Sequence, residues 1–181
     1  MNDAFRTAGP GSRPLLLIDV DGPLNPYAAK PQRRPAGYTT HRMRPTGWQH
    51  TPRPLRVWLD HGHGPRLLAL AEHYELVWAT TWKEEANEWI GPHLGLPRLP
   101  VIEWPTMHGR APRGTFWKTQ YIVRYAGLRP FAWIDDDITA ADREYIELHH
   151  PAHALAHRID ERIGLVDEDF ALLAAWARGL D

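Results

Sequence analysis

The stretch LLLIDVDGPLN, residues 15–25, decides how the rest of the chain is read. Leu15, Leu16, Leu17 and Ile18 make an apolar run with the length of a buried strand, and it ends on two acids, Asp19 and Asp21. Gly22 and Pro23 follow at once and signal a turn. Side chains alternate along an extended chain, so Asp19 and Asp21 share one face while Val20 points away. Two carboxylates held that close repel unless a cation or a proton sits between them. An acid pair at the exit of a buried strand is therefore costly, and it points to a metal-dependent site more readily than to a structural feature. A surface turn with two solvated aspartates is the plain alternative.

Two further segments extend the pattern. ELVWATTW, residues 75–82, is a short apolar strand that ends on the hydroxyls Thr80 and Thr81. FAWIDDD, residues 131–137, is another, ending on Asp135, Asp136 and Asp137. Between them Lys118 opens an amphipathic segment in which Ile122, Val123, Tyr125, Ala126 and Leu128 fit one helix, with Gly127 near its end. Three strands thus end in polar groups, and an open parallel sheet binds ligands beyond its strand carboxyl ends.

The order acid pair, hydroxyl, lysine, acid cluster resembles that of the haloacid-dehalogenase-like (HAD) superfamily. The match runs from Leu15 to about Trp176: Asp19 and Asp21 stand at the first motif, Thr80 at the second, Lys118 at the third, Asp135 and Asp136 at the fourth. More narrowly, DVDGPLNP, VWATTW, FAWIDDD and GLVDEDFALLAAW resemble the HAD domains grouped with bacterial RNA-repair proteins. The resemblance implies an α/β/α sandwich on a mainly parallel, Rossmann-like sheet and a phosphohydrolase that uses Mg2+. It implies Asp19 as nucleophile, Asp21 as general acid and base, and Thr80 and Lys118 as ligands of the transferring oxygens. Asp19, the main-chain carbonyl of Asp21, and Asp135 or Asp136 are the implied metal ligands, with Asp137 leaving the register of the last pair open.

Composition is consistent with an intracellular enzyme. A length of 181 residues suits one domain with a real core, and 43% hydrophobic against 24% charged residues argues against general disorder. Lys plus Arg is 21 and Asp plus Glu 22, so net charge makes no global case for nucleic acid or membrane. The absence of cysteine removes thiolate catalysis and Cys-ligated zinc, and it suits a reducing cytoplasm. No apolar run approaches the ~20 residues of a membrane span, and residues 1–14 read as a flexible tail ahead of a single HAD-like domain, 15–181.

Along the chain the expected elements alternate, which supports the three-layer reading. Helices are expected over residues 65–74, 83–93, 139–149 and 167–178, the second capped by Thr81, and further strands over 55–59, 99–103 and 154–159. Residues 26–54 read as irregular.

Residues 26–66 hold eight basic residues against one acid, Asp60. In the HAD resemblance an insertion here occupies the first cap position, and its shortness implies a small flap that leaves the site open to bulky substrates. Such a flap would attract phosphate-rich ligands, with Arg33, Arg34, Arg42 and Arg44 as the contacts; a solvated basic loop is the alternative. Thr81 and Trp82 are the other expected substrate contacts, and Trp48 and Trp117 are placed where an aromatic could stack a base; packing is the alternative for all three tryptophans. The eleven histidines, including His61, His63 and the run from His149 to His157, lack a catalytic zinc spacing and read as surface residues. The expected substrate is a nucleotide or a nucleic-acid-end phosphate. A small-metabolite phosphatase and a low-turnover module that binds RNA or protein are the rival readings.

Overall fold

The computed structural model describes residues 13–105, 111–112 and 114–180. The expected tail thus lies almost wholly outside the described residues. Four parallel strands form the central sheet: β1 (Leu15–Ile18), β4 (Glu75–Trp78), β5 (Phe131–Asp135) and β6 (Ala154–Arg158), in the order β4-β1-β5-β6. β1 is central, and the chain passes from it first to one side and then to the other. The connectivity therefore reverses at β1, where open α/β sheets place their ligand crevice.

Alternation along β1 feeds two cores. Leu16, Ile18 and Val20 join Leu76, Trp78, Ala132 and Ile134 on one face, together with Leu67 and Leu70 of α1 (His63–Leu70) and Phe170 and Leu173 of α5 (Asp167–Arg178). Leu15 and Leu17 join Val77, Phe131 and Trp133 on the other, with Ile122 and Ala126 of α3 (Thr119–Ala126) and Ile146 of α4 (Ala140–His149). Leu16, Leu17 and Ile18 have no exposed surface, and burial of each such side chain contributes about 1.5–3 kcal/mol. A strand covered on both faces needs a continuous apolar run, and LLLI is one. The result is the three-layer α/β/α sandwich expected from the sequence.

The insertion after β1 departs from expectation. Residues 26–54 are not irregular throughout: β2 (Tyr38–Met43) pairs antiparallel with β3 (Leu55–Asp60), from Tyr38 opposite Asp60 to Met43 opposite Leu55. Only Tyr38 and Met43 of β2 are buried, so YTTHRM shows no apolar alternation to mark a strand. Its hydrogen bonds come from β3, whose Val57 and Leu59 anchor the ribbon in the main core.

Two other elements are shorter than expected. Residues 83–93 form a π-helical turn, Ala86–Ile90, and then a single α turn, α2 (Gly91–Leu94), with no Thr81 cap; the left-handed Gly95 ends it. Residues 99–103 supply only a lone bridge, Val101 to Trp78, because Pro97 and Pro100 lack the N–H groups that a longer ladder requires. Among the described residues no helix is long and apolar enough to cross a membrane.

Candidate active site

The sheet register assembles the acids. Ile18 is level with Trp78 on one side and Ile134 on the other, so the next residues, Asp19 and Asp135, leave adjacent strands together. The Asp19 N–H donates to the Ile134 carbonyl at 3.1 Å. One carboxylate oxygen from each of Asp19, Asp135 and Asp136 lies within 4.8 Å of the others, and all three residues are buried.

Lys118 sits against this cluster with 2% of its surface exposed. Its Nζ stands 2.9 Å from Asp19 Oδ2 and 2.8 Å from Asp135 Oδ2. Asp142 sets the backbone on both sides of Lys118, since its Oδ1 accepts from the Phe116 N–H and from the Thr119 hydroxyl. The other Asp142 oxygen accepts from Thr139 and closes the capping box of α4.

Five acids share this corner of the fold with one buried cation, and the electrostatics record it. Burial disfavours the Asp135 anion and raises its pKa, Lys118 offsetting part of the cost. Burial would lower Lys118, but Asp135 and Asp19 outweigh it and its pKa rises. Lys118, flanked by two carboxylates, is thereby held in its charged form. Asp136 is pushed up to about 6 by burial and by Asp19, and Asp21 is raised by burial and by Asp19. This excess of negative charge is what a dication would neutralise. The donor set consists of hard carboxylate oxygens, which fits Mg2+ and not a soft metal.

An open cavity of about 650 Å³ lies over the strand ends. Asp19, Asp21, Thr81, Trp82, Lys118 and Asp136 line it, so the fold brings most of the expected site residues together. Thr80 and Asp135 are fully buried beneath and do not line it. The Thr80 side-chain oxygen accepts from the Trp82 N–H at 3.3 Å, and Thr81 is the threonine that lines the cavity.

The expected arginines are elsewhere. Arg33, Arg34, Arg42 and Arg44 are all exposed and none lines the cavity. Arg34 donates to the Thr40 hydroxyl at 3.1 Å, and Arg44 to the Thr51 carbonyl within its own loop at 2.8 Å. The ribbon instead contributes Arg56, whose guanidinium carbon lies 3.9 Å from the Trp58 ring centroid.

Aromatic rings dominate the remaining wall: Tyr27, Trp48, Phe116 and Trp117, with Trp82 at the base. Tyr27, Asn25, Arg56 and Phe116 were not singled out in the sequence. The signal for the first two was position, since Asn25 and Tyr27 follow the acid pair inside the same tight turn. The Tyr27 hydroxyl donates to Asp136 Oδ2 at 3.0 Å.

The histidines are not all on the surface. His63 is buried against the rings of Tyr38 and Phe170, and His150 against Phe131, with 3% and 7% of their surfaces exposed. Each follows or starts a helix that docks on the sheet, and burial lowers both pKa values. His157 pairs with Asp169 at 2.7 Å.

No curated protein and no solved structure matches the chain. A family model does, described as the HAD domain in Swiss Army Knife RNA repair proteins, and it matches residues 15–170. That span takes in every strand described above and all the residues clustered at the strand ends, and on it the chain belongs to this family of HAD domains.

Proposed function

We propose that the protein is a Mg2+-dependent phosphomonoesterase that acts through an aspartyl-phosphate on Asp19, on a nucleotide or a phosphate at a nucleic-acid end. The observation that carries this reading is the contact of one lysine, Lys118, with Asp19 and Asp135 beside Asp136 and at the floor of an open cavity. A phosphate monoester is a poor electrophile until its oxygens are neutralised, and this arrangement puts a nucleophile and a cation at one point. Asp19, the Asp21 carbonyl, Asp136 and Asp135 would hold the metal, which when bound supplies further neutralisation of the phosphoryl oxygens.

Asp19 attacks phosphorus, the bond to the leaving oxygen breaks, and the proton of Asp21 goes to that oxygen. Water then attacks the same phosphorus, gives its proton to Asp21, and Asp19 is released as carboxylate. The raised pKa of Asp21 suits a group that must begin as an acid. Lys118 and Thr81 orient the transferring oxygens; the buried Thr80 supports the turn that carries Thr81.

The aromatic wall supports a substrate with a base to stack, a contact worth roughly 1–3 kcal/mol per base. The family description, which names RNA repair proteins, supports a nucleic-acid end as the source of that base. The ribbon serves as a small cap, and residues 15–180 act as one domain. Asp19→Asn tests the core of the proposal. Hydrolysis of a 5′- or 3′-phosphorylated oligonucleotide should fall by at least about 10³-fold with the melting transition retained, whereas near-wild-type turnover would refute it.

A further inference from the structure

We infer that Asn25 and Trp82 are positioning residues for proton transfer: together they clamp both oxygens of the Asp21 carboxyl, and Asn25 ties that clamp to the β2–β3 ribbon. This rests on the reading of Asp21 as the acid and base of the proposed reaction.

The geometry is specific. Asn25 Nδ2 donates to Asp21 Oδ1 at 2.8 Å, and the Trp82 indole Nε1 donates to Asp21 Oδ2 at 2.9 Å. Torsion about the last bond of an aspartate is broad, so a free carboxyl samples many planes. Two donors arriving from separate elements, one from the turn after β1 and one from the loop after β4, leave one plane. Each oxygen keeps a lone pair for the proton it must carry.

Asn25 cannot be turned around. Its Oδ1 accepts the Trp58 main-chain N–H of β3 at 3.0 Å, so an inverted amide would set donor against donor there and oxygen against carboxylate at Asp21. The residue is 4% exposed, and its own main chain closes the turn: its N–H donates to the Val20 carbonyl at 2.8 Å and its carbonyl accepts from Gly22 at 2.9 Å. A buried amide satisfied on both ends holds its position, because loss of either partner leaves a polar atom without water.

Through Asn25 the ribbon and the acid are joined by two hydrogen bonds, one to Trp58 and one to Asp21. Trp58 lies two residues from Arg56 and three from Leu55, both in the cavity wall. The ribbon loop is fixed at a second point, where the Thr46 N–H donates to Glu85 Oε1 at 2.7 Å. A substrate that presses on this wall therefore meets a carboxyl held in register with it. Misplacing a reacting group by about 1 Å can cost about 10²-fold.

The test is a leaving-group series. kcat/KM is measured for phosphate monoesters running from p-nitrophenyl phosphate to an alkyl phosphate, in wild type, Asn25→Ala, Asn25→Asp, Trp82→Phe and Asp21→Asn. A poor leaving group needs the proton and an activated aryl one does not. Asn25→Ala and Trp82→Phe should steepen the dependence toward that of Asp21→Asn, the alkyl ester losing about 10- to 100-fold more than the aryl ester. Asn25→Asp, which keeps the acceptor for Trp58 but sets a second carboxylate against Asp21, should be at least as steep. A merely structural role would lower all esters together, and an equal loss or no loss in both Asn25→Ala and Trp82→Phe overturns the clamp. If Asn25→Ala does not fold, Trp82→Phe, which keeps an aromatic ring but loses the indole N–H together with the second ring, decides, because lost packing lowers all esters together and a lost donor steepens the series. Hydrolysis that survives Asp19→Asn overturns the nucleophile reading and the clamp with it; Asp19-dependent hydrolysis with an unchanged slope overturns the clamp alone.

Discussion

Gly22 and Asp136 stand so close that a Cβ on residue 22 would lie 2.6 Å from the Cβ, Cγ and Oδ1 of Asp136. Gly22 also has φ +91°, a backbone conformation open to glycine and strained for other residues. The turn after β1 and the acid cluster after β5 thus share one packing boundary. Gly22→Ala should displace the Asp136 carboxylate and cost at least about 1–2 kcal/mol of stability from the backbone alone. Urea denaturation reads the second effect, and loss of Mg2+-induced stabilisation reads the first.

Mg2+ should stabilise the native state because only the folded chain brings Asp19, Asp135 and Asp136 together. A ligand at about 100 times its Kd adds about 2.7 kcal/mol, so the melting temperature followed by tryptophan fluorescence should rise by several degrees. Asp136→Asn should abolish the rise. Tyr27→Phe, which removes a donor to Asp136 and keeps the carboxylate, should leave most of it. A wild-type Tm indifferent to Mg2+ would count against the metal reading.

Salt separates the cavity from the outer basic surface. Arg33, Arg34 and Arg42 are exposed and outside the cavity, so their joint replacement by Ala should leave the KM for a mononucleotide unchanged. A longer single strand could reach them, and every arginine–phosphate pair that the substitutions remove should flatten its salt dependence by about 0.7 in log–log slope. Trp117→Ala should do the opposite, raising KM for mononucleotide and oligonucleotide alike by roughly 5- to 100-fold with the salt slope intact. If the arginine variant behaves as wild type on both substrates, the basic stretch is only a solvated face.

His150 makes stability depend on pH. Burial holds its pKa below the usual 6.5, so the unfolded chain takes up a proton that the native state refuses. The stabilisation from neutral His150 is complete above 6.5 and is lost as pH falls through that value toward the lower folded pKa. His150→Phe, with Phe131 already packed edge-on at 4.7 Å, should shrink the drop in urea midpoint between pH 7.5 and 5.5 relative to wild type. An identical drop would show that His150 is solvated.

Local sequence determined the strands and the acids they deliver. LLLI and FAWI are apolar throughout because both sheet faces are covered, and the aspartates that follow could only emerge at the strand ends. That was legible without coordinates, as were the lysine helix and the three layers. Tertiary structure decided what rests on distant partners. The strand Tyr38–Met43 carries no apolar period because its partner β3 supplies its hydrogen bonds and the core takes only its two ends. Thr80 and Thr81 are adjacent hydroxyls, and the sequence favoured Thr80 for the phosphoryl oxygens, but the turn after β4 buries the first and leaves the second lining the cavity. Charge along residues 26–66 suggested an arginine-lined site; the folded chain leaves Arg33, Arg34, Arg42 and Arg44 exposed outside the cavity and brings Arg56 and the aromatic rings into its wall, because composition does not say which residues tertiary contacts bring to one point. Asn25 was silent for the same reason: its chemistry arises only when Asp21, Trp58 and Trp82, spread over 61 residues, meet around one amide and one carboxyl.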